Sequence, residues 1–116
     1  MSLADNKCVP SRSNEPPLNK MKADEMLGLL EDGWTLNRGG HLEKLYKFIN
    51  FTRALAFVNK IGAVAEAENH NPDLYLACGK CRVEIWTHIV NGLLKSDFYL
   101  AAKSDRVFNR MQTPDV

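Results

Sequence analysis

An α+β domain is the fold this sequence predicts: a four-stranded antiparallel sheet with three helices packed on one face. Three observations predict it. Two glycine-containing breaks, Gly39-Gly40 and Gly79-Lys80, each separate a pair of strand-like runs. Between the two pairs lies an alanine-rich stretch of helical spacing, and shorter helical stretches precede the first pair and follow the second. Helices segregated from hairpin-connected strands, in the order α-β-β-α-β-β-α, give this architecture.

Residues 1–20 carry three prolines, Pro10, Pro16 and Pro17, and few apolar side chains, so they are expected to form a flexible arm leading into a single domain over 21–112. From Lys22 to Glu31, Met26, Leu27, Leu29 and Leu30 form a broad apolar face, with Gly33 as the stop, which predicts a short helix. Strands follow over Trp34–Arg38 and His41–Ile49. In the second, Leu42, Tyr46 and Phe48 share one parity and Glu43 and Lys47 the other, as in a sheet buried on one side.

A long helix is predicted from Thr52 to about Asn69. Leu55, Val58, Gly62 and Ala65 form one apolar stripe, and Phe57, Ile61 and Val64 form a second, which is read as an interface with another copy of the chain, the plainer alternative being that this small core wraps it. Pro72 bars Asn71 from helical geometry, so the helix ends around His70. Strands over Asp73–Cys78 and Cys81–His88 and a helix over Ser96–Phe108 complete the domain.

With 116 residues the chain can bury one core. Its 15 Lys and Arg against 14 Asp and Glu leave a net charge of +1 with no basic block, so nucleic acid is not an expected partner. Neither a signal peptide nor a stretch of about 20 apolar residues is evident, so a cytoplasmic location without a membrane partner is expected. Three cysteines, an odd number, do not make a disulfide framework.

Cys78 and Cys81, with His70 and His88, could supply four tetrahedral zinc ligands. Parity argues against it: Cys81 shares a face with Val83, Ile85 and Thr87, whereas Arg82, Glu84, Trp86 and His88 face the other way. A redox role asks for a thiolate at a helix N-terminus, and this pair flanks a hairpin turn. Buried, inert thiols are the favoured reading, and no metal is expected.

Chemistry is expected instead from Glu66, His70, Asn71, Pro72, Trp86, His88 and Asp97. His70 closes the long helix and His88 ends the last strand, so two imidazoles are expected to converge on one cleft. Histidine titrates near pH 6.5, which suits a pair to holding and delivering protons without a metal. Asp97, in the first turn of the last helix, is suited to orienting a histidine or to stabilising the helix. Taken singly, each residue has a plainer reading, as a cap, a helix-end charge or a solvated side chain.

The spacing Glu66-x3-His70-Asn71-Pro72, then His88 sixteen residues on, Gly92-Leu93, and Asp97 nine after His88, resembles the signature of the pterin-4a-carbinolamine dehydratases. Gly33-Trp34, Tyr46-x-Phe48-x2-Phe51, Ala56-Phe57 and Leu100-Ala101 extend the resemblance from about residue 22 to 108. It implies dehydration of 4a-hydroxytetrahydropterin to quinonoid dihydropterin, which recycles the cofactor of aromatic amino acid hydroxylases. It implies His70 and His88 as acid and base, Asn71 as a pterin-binding residue and Asp97 as a support, with pterin as substrate and no further cofactor. It also implies a homodimer or homotetramer, formed partly through the long helix. Asn71 stands where the family commonly has a second histidine, and Cys78 where it has an aromatic residue; asparagine cannot titrate. The alternative implied is a non-catalytic dimerisation module for a protein partner such as a transcription factor.

Overall fold

The computed structural model describes residues 2–10 and 15–112. Its elements follow the expected order: α1 (Lys20–Leu27), β1 (Thr35–Leu36), β2 (Leu42–Lys47), α2 (Phe51–Glu68), β3 (Asp73–Ala77), β4 (Lys80–Ile85) and α3 (Lys95–Gln112). Short 3-10 turns lie at Leu3–Asp5 and His88–Val90. The sheet is antiparallel throughout, in the order β1-β2-β4-β3, so pairing of β2 with β4 joins the two hairpins.

Strand alternation sorts the side chains. Cys81, Val83 and Ile85 on β4 and Leu42 and Tyr46 on β2 are buried, together with Phe57 and Ile61 of α2 and Phe98, Leu100 and Ala101 of α3. Each large apolar side chain so buried contributes about 1.5–3 kcal/mol of transfer free energy. Leu45 and Tyr75 point from the opposite face of the sheet and stay exposed.

On α2 the burial corrects the expected division of labour. Ala54, Phe57, Ile61 and Ala65 recur at helical spacing on the core side. The Phe57–Ile61 stripe therefore fills this chain's own core, in line with the plainer alternative to an interface with another copy. The large apolar side chains that α2 leaves exposed are Phe51 and Leu55.

Several boundaries also move. Asn19 caps α1 by accepting from the Lys22 amide, and the helix stops at Gly28 rather than running to Glu31. Leu29 and Leu30 donate to carbonyls three residues back, a tightened exit that leaves Leu29 exposed. β1 is shorter than Trp34–Arg38 because Trp34 turns inward and Asn37 already belongs to the turn. That turn is a three-residue loop: the Gly40 amide donates to the Asn37 carbonyl, and only Gly40 of the two glycines has positive φ, at 79°. In the second hairpin Ala77 pairs with Lys80, so the turn is Cys78-Gly79 rather than Gly79-Lys80, with Gly79 at φ 73°. β4 ends at Ile85, short of His88.

The N-terminal residues have more structure than their composition predicts. Ala4 is buried and its carbonyl accepts from Lys103, Arg106 pairs with Asp5, and the Val9 amide donates to Ser96. Residues 11–14 of the expected arm lie outside the described residues. Where the chain resumes, the Leu18 amide donates to the Leu93 carbonyl, and Pro17 lies against Gly92. A Cβ on Gly92 would sit 2.7 Å from the Pro17 Cβ. Gly92→Ala is thus expected to destabilise the fold by about 1–3 kcal/mol, seen as a lower denaturant midpoint at unchanged slope.

Candidate active site

Three local devices bring the site residues to one end of the sheet. The first ends α2. Asn69 adopts left-handed geometry, at φ 53°, its amide donates to the Glu66 carbonyl, and the His70 amide donates to the Ala65 carbonyl. These are the paired bonds of a Schellman motif, with Pro72 following as a further barrier to helix. His70 therefore stands just outside the helix with its backbone fixed.

The second device is the loop after β4. Thr87 and Gly92 exchange backbone hydrogen bonds, at 2.8 and 3.3 Å, and enclose the 3-10 turn that carries His88. Asn91 closes that turn at φ 49°. The third is the start of α3, where Asp97 is fully buried. Its Oδ2 accepts from the Leu94 amide at 2.8 Å, the side-chain half of a capping box, and from the Thr87 hydroxyl at 2.7 Å.

The remaining oxygen of Asp97 reaches His70. Oδ1 lies 2.6 Å from His70 Nε2, and the imidazole is only 13% exposed. In a neutral imidazole that donates Nε2–H to an ionised Asp97, Nδ1 holds the lone pair. Nδ1 has no hydrogen-bond partner among the described residues. The pair is thus an imidazole oriented by a buried carboxyl group through one of its two nitrogens.

His88 is exposed, and its ring stacks on Trp86 with centroids 4.1 Å apart. The other face of the indole is covered by His41, at 3.9 Å and nearly parallel. Two imidazoles within about 4 Å of one indole on the same face would overlap, so the indole lies between them.

His70 and His88 line one cleft of about 420 Å³ together with Asn69, Asn71, Pro72, Asp73, Thr87 and Ile89. That volume lies in the range of small-ligand sites. Of the residues singled out in the sequence, His70, Asn71, Pro72 and His88 line the cleft. Asp97 sits beneath it, bonded to His70, and Trp86 supports His88. Glu66 is exposed on the last turn of α2 and is not among the lining residues. Thr87, Asn69 and His41 carried no sign in the sequence beyond strand parity and residue type.

The cysteines lie elsewhere. Cys81 is buried beside Val83 and Ile85, and burial pushes its thiol up to about 11. Cys78 is exposed at the hairpin turn, at the end of β3 and β4 opposite the histidines. The four ligands of the zinc reading are therefore not brought together, and among the described residues no group of three or more metal-ligating side chains occurs. No helix among them is long and apolar enough to cross a membrane.

The chain matches the family model described as pterin 4 alpha carbinolamine dehydratase over residues 16–107. A Rickettsia bellii protein, provisionally named a pterin-4-alpha-carbinolamine dehydratase, is 50% identical over 108 residues, 93% of this chain and 96% of its own length. A similarly named Alkaliphilus metalliredigens protein is 40% identical over 105 residues, covering 90% of this chain and 95% of the relative. The crystal structure of a Brucella melitensis protein, named transcriptional coactivator/pterin dehydratase, superposes with a TM-score of 0.74 at 28% identity, covering 78% of this chain and 97% of that one.

Proposed function

The chain belongs to the pterin 4 alpha carbinolamine dehydratase family, and on that premise we propose that it dehydrates a 4a-hydroxytetrahydropterin to the quinonoid dihydropterin and water. The observation that carries the reading is the buried Asp97–His70 bond beside a second imidazole in one cleft. Dehydration removes the proton of N5, breaks the C4a–O bond and leaves a C4a=N5 double bond. The departing hydroxide takes a proton and becomes water. One base and one acid facing a flat heterocycle are enough, each contributing on the order of 10²–10⁴ in rate.

His70 is disposed to be the base, because its Nε2 proton is committed to Asp97 and Nδ1 is available. His88, on its indole support, delivers the proton to the leaving hydroxyl. Asn71, exposed at the rim, hydrogen-bonds the pterin and takes no part in proton transfer. Pro72 shapes the adjoining wall, and no metal enters these steps. In this role the protein recycles the pterin of an aromatic amino acid hydroxylase, as a homodimer or homotetramer in the cytoplasm.

The test is the decay of a 4a-hydroxytetrahydropterin followed by absorbance. Purified protein is expected to accelerate it well above the spontaneous rate, in proportion to enzyme concentration. Decay at the spontaneous rate would overturn the proposal and leave a protein-binding role, in line with the words transcriptional coactivator in the name of the Brucella melitensis protein.

A further inference from the structure

His88 and His70 are held in different ways. His70 is fixed by a hydrogen bond to a buried carboxylate, whereas the ring contact made by exposed His88 is its stack on Trp86. The orientation of His88 is therefore only as definite as that of the indole beneath it. The indole in turn leans on His41, which register places across from it, since Leu42 opposes Ile85.

His41 is held from several sides. Its Nδ1 lies 2.7 Å from Glu84 Oε2, and the same oxygen accepts from Asn37 Nδ2 at 2.9 Å. The His41 bond, and next that of Asn37, keep the Glu84 carboxyl below its usual range, so it remains an ionised acceptor. Asn37 Oδ1 accepts from the amides of Gly39 and His41, which fixes the loop carrying the imidazole. At Gly39 a Cβ would approach His41 Cε1 to 3.2 Å, so the bare backbone there makes room for the ring.

We propose that His41, locked by Glu84 and Asn37, is a positioning residue that holds Trp86, and through it the imidazole of His88, at the working angle in the cleft. The inference rests on His88 acting as the acid. It adds that the first hairpin turn, which does not line the cleft, sets the geometry of the reaction.

The test joins kinetics to NMR. His41→Ala is expected to lower kcat by about ten- to a hundredfold with KM little changed, the mark of a misaimed catalytic group. His41→Phe, which restores the flat support without the Glu84 bond, is expected to recover most of that loss. In labelled protein the ring protons of His88 are expected to lie upfield, shielded by the indole, and to return toward free histidine values in His41→Ala but not in His41→Phe. Melting curves of both variants separate these effects from unfolding. Wild-type kcat and an unchanged His88 shift in His41→Ala would overturn the proposal, as would equal losses in both variants with the shift unchanged. The NMR readout needs no turnover, so loss of the dehydratase reading and loss of the positioning role are distinguishable.

Discussion

Asp97→Asn is expected to slow dehydration by about 10²–10⁴-fold while leaving the protein folded. Asp97 divides its two oxygens: Oδ2 serves the Leu94 amide and the Thr87 hydroxyl, and Oδ1 serves His70. Asparagine has one acceptor and one donor end. Two fixed donors, one of them backbone, demand the carbonyl on the Leu94 side, so the amide NH2 turns toward His70. Nε2 must then accept instead of donate, and the proton moves to Nδ1. The nitrogen left to meet the substrate would carry a hydrogen and could no longer act as base. The Leu94 amide, the Thr87 hydroxyl and the His70 ring each keep a partner, so the protein should remain folded with a melting temperature lowered by no more than a few degrees. Nitrogen-15 NMR should show His70 changing from the Nε2–H to the Nδ1–H tautomer. Combining Asp97→Asn with His70→Ala should cost no more than His70→Ala alone, because one unit is removed in either case. Full activity in Asp97→Asn, or an unchanged tautomer, would show that this bond does not set the base.

The same residues show what could be read in the sequence and what could not. Periodicity exposed α2 and the hairpins because their signals are local: alanine-rich helical spacing, glycine-containing breaks and alternation along β2 and β4. Proline at 72 signalled the end of α2 near His70, but the feature that fixes His70 is Asn69 at φ 53°, and asparagine there looks like any other polar residue. Which of the two α2 stripes faces the core depends on the sheet beneath, so spacing alone could not decide between an interface with another copy and the core that in fact covers Phe57 and Ile61. Gly33 suggested the end of α1 five residues beyond Gly28, where the helix does stop. The packing of residues 2–10 against α3 rests on backbone acceptors such as the Ala4 carbonyl, which no side-chain pattern announces. His41 was legible only as a strand residue, because its meaning depends on β2–β4 register. Of the candidate site, His70 and His88 and the supporting Asp97 and Trp86 were visible, whereas Thr87, Asn69 and His41, which act through partners on other elements, were not.

Asp105→Ala is the substitution expected to cost the most stability, about 3–5 kcal/mol. Two turns after Asp97 on the same helix, Asp105 is a second buried aspartate, with no part in the cleft. Its Oδ1 accepts from Tyr46 at 2.6 Å and from Lys44 at 2.7 Å, and its Oδ2 from the Trp34 indole at 2.9 Å. Truncation would strand an ammonium, a phenol and an indole N–H, all held by β2 and the segment before β1. For a domain of this size the expected fall in melting temperature is roughly 12–20 °C. Activity measured well below the new midpoint should remain, in contrast to Asp97→Asn. The network also carries a pH signature. Burial first, then the Asp105 charge, push the Tyr46 hydroxyl far above its usual range. A group whose pKa is raised on folding stabilises the fold fully below its unfolded pKa, here about 10, and loses that contribution as pH climbs toward the folded value. Wild-type stability should therefore decline above about pH 10, and Tyr46→Phe should flatten that decline. A wild-type curve already flat through that range, or an Asp105→Ala protein melting within a few degrees of wild type, would show that Asp105 does not anchor β2 to α3.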